Sequence, residues 1–271
     1  MTTHATPQPS PLAHAAHAAR SPSSADSAGA RARAPWSWMG LGLVALASVL
    51  VFWIFDALPF QDLPAHAGLI ALRHRFAESP FEQRFFVFDP HLGPYSLFRF
   101  LGEEFAVVAG PVGAVRALAT LPILATPAAL LFARRRLQGD TSPTMGFMGI
   151  VLSFGLMTLL GFASYLLGLA TMLVGLTLWL ELLVAADAHE NTRKKELVMA
   201  TVAPIILVAH GHAFALFLFV AGIATLATGD RKQRILRVRT LIPGGLKGYS
   251  DGKRSTPWYS PPANGESGGP R

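Results

Sequence analysis

The side chains able to do chemistry fall in a few short stretches of this sequence. Gln61-Asp62-Leu63-Pro64-Ala65-His66 sets a carboxylate just ahead of an imidazole, with Pro64 placed to sit in the first turn of a helix. Two roles are open to Asp62. As a helix cap it would accept from free backbone N–H groups; as a functional group it would be a general base or a ligand for a hard divalent cation, with His66 a neighbour on the same side. Arg116 stands about one turn inside a long apolar stretch. A guanidinium there either reaches up to hold a phosphate bidentately or snorkels to the headgroups. Arg73 and Arg75, on the same predicted helix as His66, would serve the same anion or simply face water. His210-Gly211-His212 offers two imidazoles, too few for a metal site without ligands from elsewhere, and reads as a polar turn at a membrane edge. Tyr165 follows the turn Gly161-Phe162-Ala163-Ser164 and completes the candidate substrate contacts.

The elements that must position these residues are set by composition. Of 271 residues, 51% are hydrophobic and 14% charged, against about a quarter charged in ordinary soluble domains. No Asp, Glu, Lys or Arg occurs in 35–55, 117–133, 141–180 or 197–229. Each gap is long enough to enter or cross a hydrocarbon core that takes roughly 17–25 helical residues. The net charge of +7 and the pI near 10.2 come mainly from residues flanking the apolar segments. They therefore mark topology and not a nucleic-acid partner. With no cysteine, disulfides and thiolate chemistry are excluded.

The fold class expected is all-α, a polytopic helical membrane protein. Residues 1–35 read as a disordered cytoplasmic tail, 36–229 as the transmembrane domain with a large outer loop at 59–110, and 230–271 as a basic, disordered cytoplasmic tail. The first apolar run is over-long for a signal peptide and lacks a small-x-small cleavage site, so it reads as a retained span. Further spans are expected near 112–133, bent at Pro122 and Pro127, near 144–160 and 162–185, and near 196–210 and 212–229, divided at His210-Gly211-His212. Placing Arg31 and Arg33, Arg134 to Arg136, Arg193 to Lys195 and Arg231 to Arg234 inside gives six spans and cytoplasmic termini. Residues 94–109, with Arg99, Glu103 and Glu104, then form a helix along the outer interface. Gly161, Gly168 and Gly175 recur along one helix face, and Gly146, Gly149 and Gly155 precede them, a pattern of close helix packing. Asp62, His66, His74, Glu78, Glu82, Asp89, His91, Glu103, Glu104, His210 and His212 all gather on the outer face.

This order of parts resembles the amino-terminal membrane module of the GT-C glycosyltransferases, which take sugars from polyprenyl-phosphate donors on the outer face. Asp62 stands where those enzymes carry an acidic residue just past the first span. His91-Leu92-Gly93-Pro94-Tyr95-Ser96-Leu97, then Gly110 to Leu118 with Ala114-Val115-Arg116-Ala117-Leu118, ending at Arg134-Arg135-Arg136, is similar to the loop-helix, second span and basic end of the protein-mannosyltransferase and aminoarabinose-transferase branch. The resemblance covers roughly 36–229. It implies Asp62 as catalytic base or metal-linked acid, Arg116 as a phosphate contact, a polyprenyl-phosphate-linked sugar as donor, and a bacterial inner membrane as location. Two departures are plain: Leu63 follows Asp62 where that branch usually has a second acid, and full members have more spans. A partner membrane protein is therefore a competing expectation, with the chain a non-catalytic subunit.

Overall fold

The computed structural model describes residues 26–55, 61–87 and 92–228, with side chains described from residue 35. Most of the amino-terminal tail, the carboxy-terminal tail, Asp56, Asp89 and His91 lie outside the described residues. Every regular element described is helical: α1 (Asp26–Ile54), α2 (Leu63–Arg75), a 3₁₀ turn (Phe76–Glu78), α3 (Pro80–Phe85), α4 (Ser96–Gln138), α5 (Pro143–Ser153), α6 (Leu156–Leu159), α7 (Ala163–Asp187), α8 (Arg193–Ala209) and α9 (Gly211–Ala227).

Three of these are long and apolar enough to cross a bilayer: Pro35–Ile54 within α1, α4 and α7. α5 and α9 are apolar but shorter, at 11 and 17 residues. Large apolar side chains face outward along the helices, among them Leu43, Leu46 and Leu50 on α1, Val151 and Leu152 on α5, and Phe219 and Ile223 on α9. Such a surface is stable against lipid tails and unstable against water.

The expected interfacial helix and second span form one 43-residue run, α4, broken at Gly110. Gly110 has φ 69 and ψ 171, a conformation open essentially to glycine. Pro111 behind it disfavours helical geometry at the preceding residue, so the break is written in the Gly-Pro pair. The bends expected at Pro122 and Pro127 do not interrupt the helix, since no other residue of α4 leaves helical dihedrals. The segment expected as a span near 144–160 divides at Phe154-Gly155 into α5 and α6.

Two cores hold the helices together. One gathers Phe52, Leu63, Ile70, Phe98, Leu118 and Ile123 from α1, α2 and both halves of α4. The other joins Trp179, Leu183, Met199, Ile206 and Phe217 from α7, α8 and α9. At one end of the bundle Arg134 pairs with Asp140 at 2.6 Å, Arg136 with Glu181 at 2.6 Å, and Lys195 with Glu190 at 3.6 Å. Helix α2, the 92–95 segment, the turn before α7 and the α8–α9 junction meet at the opposite end.

Candidate functional site

Asp62 stands at the head of α2, with Pro64 in the first turn. Its backbone N–H donates to Leu160 O at 3.2 Å, tying α2 to the turn that precedes α7. The capping role is not taken up: the Asp62 side chain makes no bond to the free N–H groups of α2. His66 lies one turn further along, its ring 4.9 Å from that of Phe98 in the first turn of α4. Burial pushes the His66 imidazole below its ordinary pKa, while the Asp62 carboxylate pulls it partly back.

The three candidate arginines are separated. Arg73 pairs with Glu103 on α4. Arg75 binds Glu82 on α3 through Nε at 2.6 Å and Nη2 at 2.5 Å, so the buried Glu82 sits against a cation. Arg116 donates to Trp53 O at 3.3 Å and to Phe55 O at 3.2 Å. Those are carbonyls left free at the end of α1, and a guanidinium there also opposes the negative end of the helix dipole. Trp53 reinforces this joint by donating from Nε1 to Thr120 Oγ1 at 3.1 Å.

A second cluster surrounds His210. Its ring centroid lies 4.6 Å from Tyr95, 5.1 Å from Tyr165 and 5.5 Å from His212. Tyr165, His210 and His212 therefore come together as substrate-contact candidates, while Arg73, Arg75 and Arg116 stand apart from them. His66 and the His210 cluster are linked through the start of α4, where Phe98 meets His66 and the preceding Tyr95 meets His210.

Tyr95 is the residue that sequence reasoning passed over as a site residue. Gly93-Pro94-Tyr95-Ser96 closes with Ser96 N–H on Gly93 O at 3.1 Å, and Tyr95 occupies the third position at φ 72, ψ −2. That is the position of a type II turn where glycine is expected. Proline before it signals the turn, but nothing in the pattern foretells a bulky aromatic in left-handed backbone.

The described residues hold a small apolar crevice beside α2, lined by Phe52, Leu63, Ala119, Thr158, Gly161 and Ala163. Among them no three His, Asp or Glu side chains converge as a metal site. Compared with known proteins, the chain matches no family model, no curated protein and no solved structure.

Proposed function

We propose that this chain is a GT-C-like membrane protein, a glycosyltransferase or a remnant of one, that binds a polyprenyl-phosphate-linked sugar at its outer face. The reading takes the bundle as six spans with both termini in the cytoplasm, in a bacterial inner membrane. The observation that carries it is the Asp62 carboxylate, which stands at the head of α2 without spending itself as a cap. In this reading Asp62 takes the proton of an acceptor hydroxyl as that oxygen attacks the sugar's anomeric carbon and the polyprenyl phosphate leaves. His66, held against Phe98, shapes the same edge. Tyr165, His210 and His212 supply aromatic and polar contacts for the sugar.

The test is saturable binding of a polyprenyl phosphate to the purified protein, followed by sugar transfer with wild type and Asp62→Asn. Because Asp62 makes no capping bond, the exchange is expected to leave thermal stability unchanged and to abolish transfer. Transfer that survives Asp62→Asn removes Asp62 from the mechanism, and absence of saturable binding removes the donor.

A second reading, a non-catalytic subunit of a larger membrane protein, is favoured by the engagement of the cations. Arg73 and Arg75 are paired with carboxylates, and Arg116 is bound to carbonyls of α1. It predicts stoichiometric co-purification with a larger membrane protein and indifference of the complex to Asp62→Asn.

A further inference from the structure

His210 closes α8 and opens α9 in extended backbone, φ −165 and ψ 125. Its Nδ1 accepts the backbone N–H of His212 at 3.2 Å, which makes the imidazole the cap of α9. An imidazole that accepts at Nδ1 is neutral and carries its proton on Nε2. Once protonated, both nitrogens are donors and this bond cannot exist. A cation at this position would also meet the positive end of the α9 dipole.

The ring is closely held, with His210 6% exposed. Tyr95 meets it at an interplanar angle of 81° and Tyr165 at 75°. On α7 Gly168 leaves no room for a side chain: a Cβ there would come within 2.5 Å of the His210 Cβ. The titratable groups facing the ring are Tyr95 from the 92–95 segment, Tyr165 from α7 and His212 from α9. The adjoining turn of α8, Ile206-Leu207-Val208-Ala209, is apolar. Among the described residues no carboxylate forms an ion pair with His210 to compensate a positive charge.

Tyr95 adds an independent sign that this contact matters to the fold. A non-glycine residue in left-handed backbone costs about 1–2 kcal/mol, and such residues persist where their surroundings over-determine them. Here the surroundings are the His210 ring and the two bonds that close the turn, Ser96 N–H to Gly93 O at 3.1 Å and Gly93 N–H to Ser96 Oγ at 2.8 Å.

The geometry points to a proton-sensitive clasp. Neutral His210 fastens the 92–95 segment, Tyr165 and the first turn of α9 into one unit, and protonation of His210 releases them. The outer loop and the α8–α9 junction then come apart at low pH on the side of the protein that carries Tyr95, Tyr165 and His212.

The test is hydrogen exchange of the full chain in a lipid nanodisc at about pH 7.5 and about pH 5, corrected for intrinsic exchange. In wild type, acid is expected to speed exchange of the amides of 211–214 about fivefold, the factor that loss of one helix cap gives. His210→Asn keeps a capping side chain that cannot titrate, and is expected to stay protected at both pH values. His212→Ala, with His210 intact, is expected to keep the acid response. Absence of the response in wild type, its survival in His210→Asn, or its loss in His212→Ala overturns the proposal. Tyr95→Gly provides a separate arm, since glycine suits the turn. It is expected to raise exchange across 92–97 already at about pH 7.5, and protection equal to wild type there also overturns the clasp.

Discussion

Replacing Gly149 by alanine puts a methyl group where Pro127 already stands. A Cβ built on Gly149 would lie 2.7 Å from Pro127 N and 2.8 Å from Pro127 Cβ, and closer still to its Cα. Carbon atoms rest at about 3.5–4.0 Å, so α5 and α4 must part by roughly 1 Å. The obstacle is backbone and a proline ring, which have no rotamer to yield. Overpacking of this kind costs about 1–3 kcal/mol. Alanine returns up to about 1 kcal/mol of helix propensity over glycine, so a control is needed that collects the gain without the clash. Gly222 on α9 provides it, because a Cβ there meets nothing within 4 Å. Propensity cancels between the two variants, leaving Gly149→Ala about 1–3 kcal/mol less stable than Gly222→Ala. Equilibrium unfolding in mixed micelles, followed by tryptophan fluorescence, reads that difference. Equal stability of the two variants would refute the close approach of α5 to Pro127.

Trp179 is fully buried and donates from Nε1 to Ala221 O and Thr225 Oγ1, both at 3.2 Å. Thr225 also donates to Ala221 O, so Trp179→Phe leaves that carbonyl with a partner. The expected loss is about 1–2 kcal/mol in the same unfolding assay. The depressed pKa of His66 makes the unfolded chain bind a proton that the folded one resists. The stability this carries is complete above the unfolded value near 6.5 and is lost as pH falls through the folded one. Melting temperature is expected to drop as pH falls below about 6.5, and His66→Gln to flatten that part of the curve.

Much of the helical frame is visible in where charges are missing. The gap at 35–55 lies largely in α1, that at 141–180 ends within α7, and His210 does divide the last apolar stretch into two helices. The glycine pattern carries real contacts: a Cβ at Gly175 would strike Ile206, and one at Gly146 would strike Leu41. The break at Gly110 falls at the boundary expected between the 94–109 helix and the span from about 112, although the residue that leaves helical dihedrals is the glycine and not a proline. The division at Phe154-Gly155, by contrast, is silent in a run with no charge.

The candidate site is readable in the sequence by residue type and less so by arrangement. Asp62, His66 and His210 stand out as ionisable groups beside apolar segments, and the structure does bring Tyr165, His210 and His212 together. Nothing in the spacing tells that Arg73 has Glu103 for a partner or that Arg116 reaches the end of α1. Those contacts join residues far apart in the chain, where periodicity carries no information. Tyr95 does not stand out in the sequence beyond the Gly93–Ser96 stretch, because its left-handed backbone is a property of the folded turn.

The corner at Gly110 has a geometric consequence. A straight helix of 43 residues would measure about 65 Å at 1.5 Å per residue, roughly twice the hydrocarbon thickness of a bilayer. One dihedral pair turns that over-long rod into two shorter ones joined at an elbow. The first rod sets Gly102 against Ile70 of α2, and the second sets Pro127 against Gly149 of α5. An L-amino acid at the elbow would be strained at φ 69, and Pro111 would still keep it out of helical geometry, so the rods would meet at another angle and Phe100, Val107 and Val108, all exposed on the first rod, would be redirected. A single glycine thereby sets the angle between the two rods of α4.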